Sequence, residues 1–256
     1  MDLFQAIILG IVQGVTEWLP ISSKTHLILV QKLFGLSPPV IFDLMLHMGS
    51  LLVVFFVFRK EIWELLVGLY KGRRESWMMA LWIAIATVPI AVVGFVFDDA
   101  VKVLLNDLRV MGFALLFTAL MLFLSRYPHK KDKKLNLLRA LGVGMMQAVA
   151  LLPGISRSGM TISTGMILGV KRETVARFSF LIFIPAILGA TVLEFSDIGQ
   201  IDNISALIVG VLVTVVVGYL SLKLLLNIIQ KDKFHWFSPY CLVLGIIVLM
   251  FAYGLL

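Results

Sequence analysis

The sequence predicts an all-α polytopic membrane protein built from two halves of opposite topology, and three observations carry that reading. Of 256 residues, 60% are hydrophobic and only 14% charged, with a mean hydropathy of +1.02, a composition foreign to ordinary soluble domains. Six apolar runs, at about 41–58, 77–97, 108–125, 175–193, 204–224 and 237–256, come close to the ~20 residues that a bilayer core requires. Two more apolar regions, 2–34 and 136–169, are interrupted midway by proline and polar residues, at Leu19–His26 and Leu152–Gly159. Their halves are too short to span, so each region is expected to be a re-entrant helix-loop-helix. Irregular backbone at membrane depth is tolerated only against protein or a water-filled cavity, so the two breaks predict one shared polar cavity.

Along the chain, the first apolar stretch lacks a basic leader and carries Gln13 and Glu17 within it, so it is expected to be mature structure rather than a cleaved signal. The first full span holds Asp43 and His47 four residues apart on one face, suited to a ligand pair or a proton relay but more simply a buried helix-to-helix hydrogen bond. Basic residues crowd four connecting segments: 59–76, 126–139 (including Lys130–Lys134), 171–177 and 223–233. By the excess of Lys and Arg in cytoplasmic loops, these four face the cytoplasm. The alternate loops are acidic, with Asp98, Asp99 and Asp107 in one and Glu194, Asp197 and Asp202 in the other, which places both chain termini on the outer side. The formal charge of +7 therefore reads as membrane orientation rather than nucleic-acid binding. Trp77, Trp82 and Trp236 are expected at bilayer interfaces, and Gly142 and Gly144 at a close helix contact. Cys241, the single cysteine, excludes an internal disulfide and a cysteine metal cluster, leaving it as a small apolar packing residue.

The chain is expected to be a single membrane domain over 1–256, with repeat one at about 1–125 and repeat two at about 135–256. A shift of 134 residues lays Ile21–Leu36 over Ile155–Val170, matching Ile21 with Ile155, Ser22 with Ser156 and Gly35 with Gly169. Each half is one re-entrant pair followed by three spans, and an odd number of crossings inverts the second half. Inverted repeats of this kind bring discontinuous helices and their binding site together near the midplane.

The second break, PGISRSGMT at Pro153–Thr161, sets an arginine among hydroxyls and glycines inside the membrane. Such an arginine costs roughly 2.5–3.5 kcal/mol at a helix centre and calls for an anionic partner. Arg157 can fork onto phosphate oxygens, hydroxyls add donors, and the Pro-Gly break opens a helix N-terminus that attracts anions; the plain alternative is a snorkelling side chain. In the first break Gln13 and Glu17 share a helical face leading to Pro20, Ser22 and Ser23 stand where an N-cap belongs, and His26 follows three residues after Ser23. Glu17 in apolar surroundings needs a cation, either a Mg²⁺-type ion or Arg157. A carboxylate, a serine, a histidine and an arginine converging on one cavity suit phosphoryl transfer. Two nucleophiles stay open: Ser23 activated by His26, which is preferred, or His26 itself. Gln147, in the half-helix before the second break, could face the cavity as Gln13 does.

QGVTEWLPISSKTH at Gln13–His26 and PGISRSGMT at Pro153–Thr161 together resemble the undecaprenyl-diphosphate phosphatases, integral membrane enzymes linked to bacitracin resistance, whose motifs run Glu/Gln-x-x-x-Glu into Leu-Pro-x-Ser-Ser-x-x-His, then Pro-Gly-x-Ser-Arg-Ser-x-x-Thr. The resemblance covers essentially the whole chain. It implies hydrolysis of a long-chain polyprenyl diphosphate to the monophosphate and phosphate, which regenerates the lipid carrier of envelope glycan synthesis. It assigns Glu17, Ser23, His26 and Arg157 as catalytic, and Glu17 and Gln13 to a divalent cation, Mg²⁺ in the first place and Ca²⁺ in the second. Gln13, Ser22, Gly154, Ser156, Arg157, Ser158 and Thr161 become substrate-binding. Two positions depart from the family pattern: Gln13 replaces a first acidic residue, leaving one anionic ligand fewer, and Thr25 stands where many members have glycine. The expected partners are the lipid substrate and the bilayer, with a homodimer as the assembly carried forward. The rival reading, from another class, is a transporter or flippase for an anionic or lipid-phosphate substrate, since broken helices in inverted repeats also describe transporters. A transporter needs the arginine but no nucleophile.

Overall fold

A computed structural model describes residues 1–36, 40–104, 107–127, 133–194 and 203–255. Lys130, Lys131, Asp197 and Asp202, on which the loop assignment partly leaned, lie outside the described residues. Among the described residues there are twelve α-helices: α1 (Leu3–Thr16), α2 (Ser23–Leu33), α3 (Val40–Val57), α4 (Arg59–Tyr70), α5 (Arg74–Val96), α6 (Asp98–Leu104), α7 (Leu108–Leu124), α8 (Leu137–Val149), α9 (Arg157–Ile167), α10 (Arg172–Glu194), α11 (Ile204–Gln230) and α12 (Ser238–Ala252), with a 3-10 turn at Phe234–Phe237 before the last. Among the described residues there is no strand, only an isolated bridge between Lys133 and Val170.

Among the described residues five stretches are long and apolar enough to cross a bilayer: α3, α5, α10, α11 and Phe234–Ala252. The run at 108–125, expected as a sixth span, folds as the 17-residue apolar helix α7. The basic segment 59–76 is not a plain loop, because α4 occupies most of it. Its sequence RKEIWELLVGLY combines strong helix formers with apolar residues at helical spacing. In the same way α6 fills part of the acidic connection after α5.

Both broken regions fold as short helix, irregular link, short helix. At 14 and 13 residues, α1 and α8 are about 21 and 20 Å long at 1.5 Å per residue, short of the ~30 Å apolar thickness. Asp2 opens α1 with a reciprocal capping box to Gln5, and Asn136 caps α8 through the Arg139 amide, so both starts are specified locally. Proline stands within four residues of each helix end: Pro20 and Pro153 supply no N–H for a further turn and disfavour helical backbone at the residue before them.

Small residues let backbones approach where these half-helices dock. A Cβ on Gly10 of α1 would stand 2.5 Å from the Gly210 carbonyl of α11, and one on Gly144 of α8 would stand 2.5 Å from the Ala86 carbonyl of α5. Thr214 of α11 also donates to the Gly10 carbonyl, at 3.2 Å. Contacts of this kind hold helices together in lipid, where no hydrophobic force does so. Gly142 meets only the tip of Leu168, so of the two glycines expected at a tight contact Gly144 makes it with backbone. Trp77 and Trp236 are exposed, whereas Trp82 packs partly against the core.

Candidate active site

The two breaks meet. Ser158, in the first turn of α9, donates its hydroxyl to the carbonyl of Trp18 in the first break at 3.0 Å. Trp18 is fully buried and wedged edge-on between Phe180 and Phe183 of α10. This apolar floor sets Glu17 and Arg157 side by side although 140 positions separate them: Arg157 Nη2 donates to Glu17 Oε1 at 2.9 Å. The guanidinium carbon lies 3.9 Å above the Phe183 ring, within range for cation–π attraction.

Glu17 is the hub. Its Oε2 accepts from Ser23 Oγ at 2.7 Å and from Gln13 Nε2 at 3.2 Å, and His47 Nε2 stands 3.7 Å away. The short Ser23 bond has the length of a charge-assisted O–H···O⁻ contact. Gln13, fully buried, also reaches Ser50 Oγ at 3.3 Å, and its Oε1 has no partner. Arg157 Nη1 is likewise buried without an acceptor. A buried guanidinium N–H left unpaired is costly, and an anionic oxygen placed against it would satisfy it.

His26 goes elsewhere. Its Nδ1 is 2.8 Å from the Ser22 carbonyl and its Nε2 is 2.7 Å from the hydroxyl of Tyr240 on α12. The preferred pairing of His26 with Ser23 is therefore replaced by Glu17 with Ser23: three residues of helical spacing put both side chains at the start of α2, but each takes a different partner. Ser22 is not a side-chain N-cap either. It has φ of 71° and ψ of 92°, its hydroxyl makes no bond to the α2 amides, and it pairs with Thr25 Oγ1 at 3.1 Å. A non-glycine residue there is strained and persists only when its surroundings over-determine it.

The second motif supplies scaffolding around its arginine. Ser156 caps α9, accepting from the Gly159 amide at 3.1 Å, and lies 3.3 Å from Ser158 Oγ. Thr161 bonds the Arg157 carbonyl at 2.9 Å and Ser179 Oγ at 2.5 Å. Gly154, at φ of 97°, is pressed on α7, where a Cβ would meet the Met111 carbonyl at 2.5 Å. Its own carbonyl lies 3.4 Å from Thr118 Oγ1. The hydroxyls of Ser156, Ser158 and Thr161 thus build the turn that presents Arg157.

Asp43 and His47 part company. Asp43 accepts from Gln31 Nε2 on α2 at 2.9 Å, the helix-to-helix bond foreseen as the simpler reading. His47 turns to Glu17 with its Nδ1 on the Asp43 carbonyl at 2.8 Å. Its spacing from Asp43 was the one sequence signal; nothing local could show that Glu17 was its neighbour. Gln147 is fully buried with neither amide atom partnered, so no hydrogen bond joins it to Glu17 or Arg157. Among the described residues no cluster of three or more His, Cys, Asp or Glu side chains could hold a metal.

Comparison with known proteins places nearly the whole chain in one family. The family model described as bacitracin resistance protein BacA matches residues 6–247. A protein of Desulfosudis oleivorans named undecaprenyl-diphosphatase is 42% identical over 265 residues, covering 96% of this chain and 97% of the relative. One of Methanobrevibacter smithii with the same name is 40% identical over 274 residues, covering 98% of each. In Bacillus thuringiensis, undecaprenyl-diphosphatase 2 is 38% identical, covering 96% of each. With a match across nearly its whole length and both breaks inside it, the chain belongs to the BacA bacitracin-resistance family.

Proposed function

We propose that this protein is an integral membrane undecaprenyl-diphosphatase that removes the terminal phosphate of the lipid diphosphate and so recycles the envelope lipid carrier. The observation that carries the reading is the unpartnered Arg157 Nη1 beside a serine hydroxyl already bonded to a carboxylate. A transporter would use the first and have no need of the second. The names of the relatives support the same activity.

In the proposed reaction Arg157 receives the diphosphate oxygens through Nη1. Ser23 Oγ attacks the terminal phosphorus, its proton passes to Glu17 Oε2 along the 2.7 Å bond, and the P–O bond to the lipid monophosphate breaks. Glu17 hands that proton to the leaving lipid monophosphate; water then attacks the phosphoserine and gives a proton to Glu17, which returns it to Ser23 Oγ as the bond from phosphorus to serine breaks and inorganic phosphate leaves. Glu17, the unpartnered Gln13 Oε1 and Ser23 Oγ are hard oxygen donors that fit Mg²⁺ or Ca²⁺, since Mg²⁺ commonly uses one or two carboxylates and completes its shell with substrate phosphates and water. Bound there, the cation would neutralise charge on the diphosphate.

The two-repeat architecture, with α7 as sixth span, has support in the element boundaries. Adding 134 to α2 (Ser23–Leu33) lands on α9 (Arg157–Ile167), and Gly10, pressed on α11, lands on Gly144, pressed on α5. The excess of Lys and Arg in α4 and the other basic segments supports a cytoplasmic face for them, with both termini outside. A homodimer remains part of the proposal.

The test is purified protein with polyprenyl diphosphate and Mg²⁺, read for released phosphate and quenched with acid to trap label on protein. Phosphate release with acid-stable phosphoserine at Ser23 is expected. Binding without release would favour the transporter, and acid-labile label would move attack to His26.

A further inference from the structure

The first turn of α12 grips the first break at two points. Cys241 Sγ lies 3.3 Å from the Pro20 carbonyl, donating to it, and the preceding residue, Tyr240, meets His26. The two rings stack at 5.9 Å with an interplanar angle of 11°, and the Tyr240 hydroxyl is 2.7 Å from His26 Nε2. The other ring nitrogen faces the Ser22 carbonyl at 2.8 Å. A carbonyl can only accept, so Nδ1 carries the proton, and in the neutral imidazole Nε2 must accept from the tyrosine. Which ring nitrogen holds the proton is set by the bond the other makes.

We propose that Tyr240 is a positioning residue for phosphoryl transfer, holding His26 in its Nδ1–H form so that His26 locks the strained Ser22 and with it the direction of Ser23. The Ser22 carbonyl is held twice by His26, from Nδ1 and from its backbone amide at 3.3 Å. If His26 switched tautomer, a lone pair would face that carbonyl and the lock would become a repulsion. Ser22 at φ of 71° would then relax toward ordinary backbone and carry Ser23 away from Glu17. The sequence gives no sign of this link, because 214 positions separate His26 from Tyr240. The proposal rests on the reading of Ser23 as attacking group.

Tyr240→Phe keeps the stacked ring and removes only the hydroxyl, so the fold should persist with an unchanged melting temperature. Loss of one positioning bond should lower kcat about five- to tenfold while KM for the polyprenyl diphosphate stays within twofold, because Arg157 is untouched. In ¹⁵N-histidine spectra, with His26 assigned through His26→Gln, wild type should show the Nδ1–H tautomer and Tyr240→Phe a mixture. Wild-type kcat in Tyr240→Phe, a loss confined to KM, or a His26 tautomer signal unmoved by the substitution would each overturn the proposal. A phosphoserine trap that fails at Ser23 while Tyr240→Phe still shifts kcat and the tautomer would refute the nucleophile and leave the Tyr240–His26 link standing.

Discussion

Replacing Arg157 by lysine keeps the positive charge and tests whether the fork itself matters. In the wild-type arrangement one guanidinium does three things at once: Nη2 holds Glu17 at 2.9 Å, Nη1 stays open, and the plane lies 3.9 Å over Phe183. An ammonium is a point donor on a shorter reach and cannot keep Glu17 while presenting a second, fixed N–H to phosphate. The cation–π contact belongs to the resting protein and an ammonium keeps part of it, so it bears on stability rather than on turnover. The charged hydrogen bond to phosphate is worth about 1.5–3 kcal/mol, which at about 1.36 kcal/mol per tenfold lowers kcat/KM by roughly tenfold to 150-fold. Phosphate release from detergent-solubilised polyprenyl diphosphate measures it. Thermal stability should fall little, because Glu17 still has a counter-charge, whereas Arg157→Ala leaves that buried carboxylate without its arginine, at a cost of up to about 3–5 kcal/mol that Ser23, Gln13 and His47 reduce. Lysine within threefold of wild type would refute the argument from the fork.

Two further outcomes follow from the same geometry. Glu17→Gln removes both the acceptor of the Ser23 proton and the one negative donor for a hard cation, so activity should drop at least a hundredfold and the residual rate should lose its Mg²⁺ dependence; an unaltered Mg²⁺ titration would assign Glu17 a different role. Gly144→Ala drives a methyl to 2.5 Å from the Ala86 carbonyl, while Gly142→Ala meets only a leucine methyl at 3.1 Å; the first should destabilise by about 1–3 kcal/mol and the second by much less, as read by melting in detergent, and equal melting temperatures would count against the α5–α8 contact.

Much of this protein was legible in one dimension because the bilayer imposes one-dimensional rules. Span length, proline breaks and capping residues act within a turn or two of the chain, so α1, α2, α8 and α9 fall where the motifs put them, and the need of Glu17 for a cationic partner, a hard cation or Arg157, follows from the cost of leaving its charge alone in apolar surroundings. Helicity within the connections was less visible: 59–76 reads as a basic loop because its charges dominate, yet α4 forms through propensity and apolar spacing. The partners of the site side chains were beyond the sequence. His26 and Ser23 share a helix start, but Tyr240 on α12 claims one and Glu17 the other; Asp43 and His47 share a face, but Gln31 takes the first and Glu17 lies beside the second. Local spacing decides which residues share a face of one helix, while only the packing of α1, α3, α9, α10 and α12 around Trp18 decides what each face meets, since a hydrogen bond a few ångströms long depends on angles between helices that the chain specifies only through the whole core.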